Sequence, residues 1–257
     1  MKQPLLIKLS GKALAAENEL LTLFAALKAA NTPFLLVHGG GVEVDRLMND
    51  LHREVRRIDG LRVSPAEDMP LIAGALAGTC SLALRGIAVK AGLAPLGLAA
   101  TDLGLSRVVP QDERLGRVAK AAAGTAEAAR RVTGLLEAGL TPVISSVGID
   151  DKGRLWNINA DDTALAVAQL LKSPLVFLSD VKGVLDVKKT LLAALTEPEA
   201  ARLIASGVIS GGMTVKVKAA FAAAHATGAP VAVASVFDES LAQKISEGEL
   251  PGTAFVI

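Results

Sequence analysis

The segment spanning residues 33–45 constrains the fold more than any other part of the chain. It reads P-F-L-L-V-H-G-G-G-V-E-V-D, in which a short run of strand-forming residues leads into three consecutive glycines. Behind the glycines, Val44, Leu47, Met48 and Leu51 recur at helical spacing with charged residues between them. The segment therefore predicts a strand, a tight glycine turn and a helix, which is a building unit of α/β proteins.

The glycine turn also predicts a binding site for an anion. Adjacent glycines let a ligand approach the main-chain N–H groups closely, and the new helix points its free N–H groups and positive dipole end at that ligand. A phosphate or a carboxylate suits such a site, although a tight turn without a ligand is the alternative interpretation. The turn is not a dinucleotide fingerprint, because Val44 stands at the position of the last glycine, and no Gly-Lys-Ser/Thr follows as in a P-loop.

Composition limits the kind of partner. The 257 residues are 51% hydrophobic, which is enough for one large α/β domain or two lobes. The formal net charge of +1, the single Trp and the absence of Tyr argue against nucleic acid or a charged membrane surface as partner. Cys80 is the only cysteine, and the N-terminus lacks the apolar run of a signal peptide. We therefore expect a cytoplasmic protein with no nucleic-acid or membrane partner.

Further strands and helices are predicted along the whole chain. The apolar runs predict strands at residues 5–9, 94–98, 141–145, 174–178, 230–234 and 253–257. Helical periodicity predicts helices at residues 19–30, 64–91, 126–138, 163–171, 197–205 and 214–227, with Ser64 as the N-cap of the second. Residues 10–12 are predicted to form a turn, and residues 101–120 a loop with a weak hairpin.

Polar residues concentrate at a few points of this pattern. Lys8 lies inside the first strand, which is unusual for a strand that opens a buried sheet. Asp59-Gly60 predicts a hairpin rich in arginine, either a solvated basic hairpin or a lid that binds a carboxylate. Asn157, Asn159 and Asp161 stand at every second position just before a helix. The simpler interpretation is that Asp161 caps this helix.

The second half of the chain carries two more such points. Polar residues and Gly183 follow the strand at residues 174–178, where open α/β sheets bind ligands. A second glycine turn at residues 208–213 leads into a helix with Lys216 and Lys218 near its start. Because cations oppose the dipole at a helix N-terminus, we expect an anion nearby.

Taken together, these motifs resemble the amino-acid kinase family. They are I-K-L-S-G, H-G-G-G, G-L-R-V-S, N-I-N-A-D, L-S-D-V-K-G-V-L and G-G-M-T-V-K, in the expected order over essentially the whole chain. The resemblance is greatest to the branch that phosphorylates the side-chain carboxylate of N-acetyl-L-glutamate with ATP in arginine biosynthesis. It implies a three-layer αβα sandwich around a mainly parallel open sheet. Residues 1–172 would form an N-terminal lobe for acetylglutamate binding and dimerisation, and residues 173–257 a C-terminal lobe for ATP.

The resemblance also implies roles for individual residues. Lys8 and Lys216 would contact the phosphoryl group during transfer, and Asp161 would hold both lysines in position. Substrate would be bound by Gly40, Gly41, Arg62, Asn157 and Asn159. ATP would be bordered by Gly11, Asp180, Val181, Lys182, Gly183, Val184, Leu185, Val208, Ile209 and Ser210. Mg²⁺ would be carried by ATP rather than by protein ligands.

The chemistry needs no general base. A carboxylate acceptor has a reference pKa near ~4 and is already ionised at neutral pH. His38 beside the glycines is therefore interpreted as structural. Two lysines and Mg²⁺ would supply the positive charge that phosphoryl transfer requires, and Arg62 could hold a carboxylate through two parallel N–H bonds.

Alternatives remain within and outside this branch. The acceptor could instead be glutamate, aspartate, carbamate or UMP, or the chain could be a non-catalytic amino-acid-binding regulatory module. The presence of Lys8, Asp161 and Lys216 together argues against the module. Two departures from the family pattern are Ser10, where a second glycine is frequent, and residues 101–107, where a loop rich in glycine and aspartate is expected.

Assembly is predicted from the same resemblance. Arginine-inhibited members carry an extra helix ahead of the first strand, whereas only residues 1–4 precede that strand here. The small residues of the helix at 64–91 offer a two-fold contact instead. We expect a homodimer that arginine does not inhibit through the site which that extra helix helps to form.

Overall fold

The computed structural model describes residues 3–257, excepting the side chain at position 215, and it confirms the predicted α/β class. The strands are β1 (Leu5–Leu9), β2 (Phe34–His38), β3 (Arg57–Ile58), β4 (Leu61–Arg62), β5 (Ala94–Ala99), β6 (Ser106–Pro110), β7 (Val118–Ala123), β8 (Leu140–Ser145), β9 (Val147–Ile149), β10 (Leu155–Ile158), β11 (Leu175–Ser179), β12 (Ala194–Thr196), β13 (Val231–Ser235) and β14 (Thr253–Val256). The helices are α1 (Gly11–Leu14), α2 (Glu17–Ala29), α3 (Gly41–Asp50), α4 (Met69–Ala73), α5 (Ser81–Lys90), α6 (Ala126–Glu137), α7 (Ala160–Leu171), α8 (Glu197–Ala205), α9 (Gly211–Thr227) and α10 (Leu241–Glu247).

An eight-stranded sheet runs through the molecule in the order β12-β14-β13-β11-β1-β2-β8-β5. All neighbours in it are parallel except β13 and β14. Strands β2 and β13 are buried on both faces, so they appear in the sequence as continuous apolar runs rather than alternating ones. Parallel strands all end at the same edge, which brings the segments behind β1, β2 and β11 together.

Helices cover both faces of this sheet and complete the predicted three layers. Leu6 and Val37 face one layer, where they join a core cluster with residues of α7 and α9. Ile7 and Leu36 face the other layer, where they pack in a cluster with residues of α2 and α5. Successive strand residues point to opposite faces, so each central strand contributes to both cores.

Two smaller sheets flank the main one. The predicted Asp59-Gly60 hairpin is confirmed: β3 and β4 pair antiparallel, and both turn residues have positive φ. The weak hairpin within residues 101–120 is confirmed as the antiparallel pair of β6 and β7. That pair belongs to a four-stranded sheet in the order β6-β7-β10-β9.

Two local predictions are wrong. Residues 10–12 form the start of α1 rather than a turn, because the Ser10 hydroxyl accepts a hydrogen bond from the Ala13 N–H at 3.3 Å and caps a helical turn. Ser64 does not cap the next helix, because its hydroxyl donates to the Arg62 carbonyl oxygen at 3.1 Å. A 3₁₀ turn at Ala66–Asp68 starts that helix behind Pro65 instead.

The helical stretch Ala66–Lys90 contains a π segment, Gly74–Cys80, between α4 and α5. By length and composition alone the stretch could span a membrane, with a mean hydropathy of 1.6 in its most apolar window. Of that window, 44% is buried inside the fold, where Ile72 and Leu84 belong to core clusters. The stretch is therefore packed as a core helix, with one outer face in solvent.

Candidate active site

The carboxyl ends of β1, β2 and β11 lie side by side, and a cavity of about 280 Å³ opens next to them. We call it the glycine-turn cavity. Its lining includes Lys8, Gly39, Gly40, Gly41, Arg62 and Asn157. The structure thus brings together residues from the first strand, the glycine turn, the arginine hairpin and the N-I-N-A-D motif.

Lys8 forms an ion pair at the inner end of this cavity. It shares a face of β1 with Leu6, so its side chain points toward the layer that contains α7. Its Nζ lies 2.7 Å from Oδ1 of Asp161, in the first turn of α7. The Lys8 side chain is only 13% exposed, so the carboxylate compensates a largely desolvated charge and fixes the ammonium group.

Lys216 reaches the same region from the other end of the sequence. Its Nζ donates to the Ser179 hydroxyl at 3.0 Å, at the end of β11. A smaller cavity of about 50 Å³, the lysine cavity, is lined by both lysines, Ser10, Asp161 and Ser179. Asp161 therefore contacts Lys8 directly, whereas the hydrogen-bond partner of Lys216 is Ser179.

The electrostatic surroundings of Lys216 are unusual for a lysine. Burial lowers its pKa, and the neighbouring positive charges of Lys8 and Lys12 lower it further. The carboxylates of Asp180 and Asp161 act in the opposite direction. An anion entering the lysine cavity would relieve the repulsion between these ammonium groups, which is the property expected of a phosphate site.

Arg62 is the buried cation of the glycine-turn cavity. Its side chain is 7% exposed; Nη1 pairs with Oδ1 of Asp45, and Nη2 donates to the Gly41 carbonyl at 2.9 Å. Burial would raise the pKa of Asp45, but hydrogen bonds from Arg62 and Arg57 outweigh it and hold that pKa below its usual range. A guanidinium has five N–H donors, so Arg62 keeps others for a ligand while these contacts fix its plane.

The glycine turn is closed by the π segment. A Cβ on Gly40 would lie 2.5 Å from Sγ of Cys80 and 3.0 Å from Cδ2 of Leu76, so no side chain fits there. A Cβ on Gly41 would meet nothing closer than 3.8 Å. Gly40 is the N-cap residue of α3 and supplies no capping side chain, so the first N–H groups of α3 are left for a ligand.

The two asparagines have different partners. Asn157 donates from Nδ2 to the Ser64 hydroxyl at 3.0 Å, and Ser64 is in turn bonded to the Arg62 carbonyl. Asn159 caps α7 by accepting from the Asp161 N–H at 2.9 Å. The capping role considered for Asp161 is therefore wrong, because Asn159 occupies it and leaves the Asp161 carboxylate free for Lys8.

The predicted ATP residues lie in two segments, residues 180–185 and 208–210, which we call the nucleotide loops. Ile209 is buried in the core, and so is Val184, whose N–H donates to Oγ1 of Thr253 at 2.8 Å. Gly183 has φ 137° and a Cβ there would lie 2.5 Å from Oγ1 of Thr253, so it has a structural reason to be glycine. Side chains exposed to solvent are those of Asp180, Lys182, Leu185 and Ser210. None of the residues of these loops lines the glycine-turn cavity or the lysine cavity, whereas Gly11 lines the former.

The chain is similar to known proteins over nearly its whole length. A family model described as the amino acid kinase family matches residues 3–235. The chain belongs to the amino acid kinase family. Acetylglutamate kinase of Vibrio campbellii is 46% identical over 258 residues, covering 98% of this chain and 97% of that protein. Acetylglutamate kinase of Vibrio vulnificus is 45% identical with the same coverage.

Solved structures agree on the amino acid kinase fold. A structure from Streptococcus mutans is 27% identical, has a TM-score of 0.79, and covers 100% of this chain and 99% of its own. N-acetylglutamate synthase from Neisseria gonorrhoeae, at 20% identity and a TM-score of 0.81, covers 99% of this chain and 59% of its own. Carbamate kinase from Giardia lamblia is 16% identical with a TM-score of 0.67, and the match covers 99% of this chain and 98% of the carbamate kinase chain. The last two show the fold alone.

Three contacts of this kinase were missed by reasoning from the sequence. Asp45 braces Arg62, Ser179 holds Lys216, and Lys12 Nζ lies 2.5 Å from Oδ2 of Asp180. Lys12 is the last residue of the predicted turn behind the first strand, in K-L-S-G-K, and a lysine inside a candidate phosphate turn was the available signal. Ser179 belongs to the polar residues noted behind the strand at residues 174–178, but nothing in the sequence paired it with Lys216, and nothing local marked Asp45.

The two departures from the family pattern have local explanations. Ser10 has φ −74°, a conformation open to any residue, so no second glycine is required there. Thr101 and Asp102 tie their loop to neighbouring strands, since Oγ1 of Thr101 accepts from the Ile149 N–H and Oδ2 of Asp102 from the Ala99 N–H. No residue of 101–107 lines the two cavities described above.

The carboxylates of the site fit a magnesium ion carried by a nucleotide. Among residues 3–257, no group of three or more His, Cys, Asp or Glu side chains is placed to hold a metal ion by itself. Mg²⁺ needs only one or two protein carboxylates when phosphates and water supply its other ligands. Asp161 lines the lysine cavity, and the charges of Asp161 and Asp180 both act on Lys216, so two carboxylates are available beside it.

Proposed function

We propose that this amino acid kinase transfers the γ-phosphoryl group of ATP to the side-chain carboxylate of N-acetyl-L-glutamate, giving N-acetyl-L-glutamyl 5-phosphate for arginine biosynthesis. The observation that carries the proposal is the glycine-turn cavity, where a buried arginine and free helix N–H groups adjoin the Lys8–Asp161 pair. The acetylglutamate kinases of Vibrio support the same acceptor at 45–46% identity.

The acceptor enters as a nucleophile. Its side-chain carboxylate is ionised at neutral pH, so no residue has to remove a proton. The N–H groups of Gly40 and Gly41 bind this carboxylate, and Arg62 and Asn157 bind the remaining polar groups of the substrate. The Asp45 contact orients Arg62 before substrate arrives, so little side-chain entropy is lost on binding.

Lys8 and Lys216 stabilise the charge of the phosphoryl group during transfer. They contact it from two sides of the lysine cavity, with Lys8 oriented by Asp161 and Lys216 by Ser179. Mg²⁺ bound with ATP neutralises further phosphate charge when present. Because both ammonium groups are fixed before the reaction, stabilisation requires no reorganisation at the transition state.

The division into lobes follows from these roles. Residues 1–172 hold the acceptor, and residues 173–257 hold the nucleotide at the nucleotide loops. The N-terminus of α9 has no side-chain cap and no acidic residue in its first turn, so it can receive a phosphate group near Lys216. Lys12 and Asp180 border this nucleotide region.

An ADP-release assay across possible acceptors tests the function. The purified protein is given MgATP with N-acetyl-L-glutamate, L-glutamate, L-aspartate, carbamate or UMP, and ADP is measured by a coupled reaction. We expect turnover with N-acetyl-L-glutamate to exceed turnover with every other acceptor by about 100-fold or more, since the cavity binds its polar groups individually. Preference for another acceptor refutes the proposed substrate, and no turnover with any acceptor favours a non-catalytic binding module.

We propose in addition that the protein works in the cytoplasm as a homodimer joined through α5. The outer face of α5 exposes Leu82 and Val89, seven residues apart and therefore on one side of the helix, with Gly86 between them. Such a face suits a two-fold contact with a second copy. Light scattering should give a dimer, Leu82→Glu should give a monomer, and a hexamer would contradict the proposal. The absence of arginine inhibition stays a prediction, which the ADP-release assay tests with millimolar arginine.

A further inference from the structure

His38 lies at the end of β2, directly before the glycine turn, and is completely buried. Its Nδ1 lies 2.8 Å from the carbonyl oxygen of Gly39, the next residue. Among residues 3–257, its Nε2 is buried and has no hydrogen-bond partner. The imidazole therefore makes one polar contact, and that contact is to the turn.

The contact determines which nitrogen carries the hydrogen. A carbonyl oxygen only accepts, so Nδ1 must be the donor and Nε2 of the neutral ring is bare. Burial lowers the pKa of His38, and the positive charge of Arg85 lowers it further, against the opposing effect of the Gly39 hydrogen bond. The ring is therefore neutral at physiological pH, with its only N–H directed at Gly39.

This hydrogen bond fixes the orientation of the peptide between Gly39 and Gly40. In a planar trans peptide the C=O and N–H bonds point in opposite directions, so a carbonyl held toward His38 directs the Gly40 N–H away from it. His38 shares a strand face with Leu36, toward the layer of α2 and α5. Among the described residues, the Gly40 N–H has no protein acceptor, and Gly40 lines the glycine-turn cavity.

We propose that His38 is a positioning residue, which holds the Gly39–Gly40 peptide so that the Gly40 N–H faces the carboxylate of the acceptor. The proposal rests on the proposed function for the identity of that acceptor. Among the described residues the Gly39 carbonyl accepts no other hydrogen bond, and glycine restricts the backbone least, so the Nδ1–H contact is the hydrogen bond that holds this peptide. A rotated peptide would present a carbonyl oxygen to a carboxylate and repel it.

A purely structural role explains the residue less well. An apolar side chain would fill the same buried strand position without leaving a polar atom unsatisfied, as Nε2 is here. What distinguishes histidine at this position is therefore its Nδ1–H.

Three variants separate the two roles. His38→Asn keeps a donor, because Nδ2 of asparagine, like Nδ1 of histidine, is bonded to Cγ. His38→Leu has nearly the shape of asparagine but no N–H. His38→Gln carries its amide nitrogen at the position of Nε2 rather than Nδ1, so it supplies a second variant without a donor at the Nδ1 position if the leucine variant fails to fold.

Each full-length variant is assayed for kcat and for KM of N-acetyl-L-glutamate and of ATP, with thermal unfolding as a control for folding. We expect His38→Leu and His38→Gln to raise KM for the acceptor about ten-fold, the scale of one hydrogen bond to a charged group. KM for ATP should stay within about two-fold, and His38→Asn should return the acceptor KM to within about three-fold of wild type. Equal acceptor KM values in folded asparagine and leucine variants would overturn the proposal, and so would equal increases for acceptor and ATP.

The wild-type protein is measured first, so that failure of the proposed function is recognised separately. If another acceptor is preferred, the three variants are compared with that acceptor, because the peptide orientation does not depend on its identity. Crystal structures of the variants give a readout without activity. We expect the Gly39–Gly40 peptide to be rotated, or present in two orientations, in His38→Leu and unchanged in His38→Asn. An unchanged peptide orientation in both variants refutes the proposal.

Discussion

The glycine-turn cavity and the nucleotide loops are built in different ways. Around the cavity, named partners hold the polar groups: Asp45 pairs with the buried Arg62, Ser64 accepts from the partly buried Asn157, and Cys80 packs against the turn at Gly40. In the nucleotide loops, Asp180 and Lys182 are exposed, and Lys12, which pairs with Asp180, is 72% exposed. One region centres on a buried cation with a fixed partner, whereas the other combines a few core side chains, such as Val184, with exposed charged groups.

The difference indicates where specificity resides. Preorganised polar groups bind a particular small acceptor without first being ordered, and they penalise acceptors that leave them unpaired. ATP has many charged oxygens and can be held by main-chain groups and exposed lysines with less shape selection. We therefore expect substitutions at the cavity to act on acceptor selectivity, and substitutions at the loops to act weakly on nucleotide affinity.

The largest effect is expected where the two regions meet. Lys8→Ala and Lys216→Ala each remove an ammonium group from the lysine cavity, and kcat should fall by about 100-fold or more. Lys218→Ala is the matched control, because Lys218 is on the same helix but exposed to solvent. Steady-state kinetics would contradict the assignment if Lys218→Ala were as damaging as Lys216→Ala.

Arg62→Ala should affect mainly the acceptor. It removes a carboxylate ligand that acts both before and during transfer, so KM for N-acetyl-L-glutamate should rise about 10- to 100-fold with a smaller change in kcat. Arg62→Lys should restore little, since a lysine lacks the planar fork held by Asp45 and the Gly41 carbonyl. Arg56→Ala, at an exposed position before the same hairpin, is the control. A rise confined to KM for ATP would contradict the claim that the cavity binds the acceptor and the loops bind the nucleotide.

Substitutions of two glycines in the turn should differ in their effect on the stability of the protein. Gly40→Ala places a Cβ against Cys80 and Leu76, and we expect the free energy of unfolding to fall by about 1–3 kcal/mol. Gly41→Ala meets no such contact and should stay within about 0.5 kcal/mol of wild type. Adding Cys80→Ala to Gly40→Ala removes the nearest atom and should recover part of the loss in chemical denaturation. Equal losses at both glycines would mean that the π segment does not close the turn.

The smallest effect is expected in the nucleotide region. Lys12→Ala removes one exposed charge beside Asp180, and KM for ATP should rise by no more than about five-fold. The rise should shrink as salt is added, because exposed charges are screened. Lys90→Ala breaks a comparable exposed pair with Glu17 at another surface and should leave KM unchanged. A large, salt-independent effect of Lys12→Ala would mean that Lys12 is preorganised like the polar groups of the glycine-turn cavity.

The parts of the site predicted from sequence are those set by local pattern. A lysine inside a short apolar strand singled out Lys8, and the run of glycines behind β2 predicted free N–H groups at a helix start. Asp59-Gly60 predicted the hairpin that carries Arg62. In each case the structure-forming signal lies within a few residues of the functional side chain.

The parts that escaped prediction depend on contacts between distant segments. Lys12 and Asp180 are 168 residues apart in sequence, and Arg62 and Asp45 lie on a strand and a helix that only the fold brings together. The hydroxyl of Ser64 was available for capping by local rules, but the tertiary contact with Asn157 and the hairpin carbonyl took it instead. Local propensity therefore predicted the elements, and tertiary hydrogen bonding decided the partners.

Trapping of the acyl phosphate tests the central claim most directly. Protein, MgATP and hydroxylamine are incubated with N-acetyl-L-glutamate or, in parallel, with L-glutamate or L-aspartate, and the hydroxamate formed is measured. The account predicts hydroxamate from N-acetyl-L-glutamate, little from the other two, and almost none with the Lys216→Ala variant. Hydroxamate from aspartate or glutamate without any from N-acetyl-L-glutamate would contradict it.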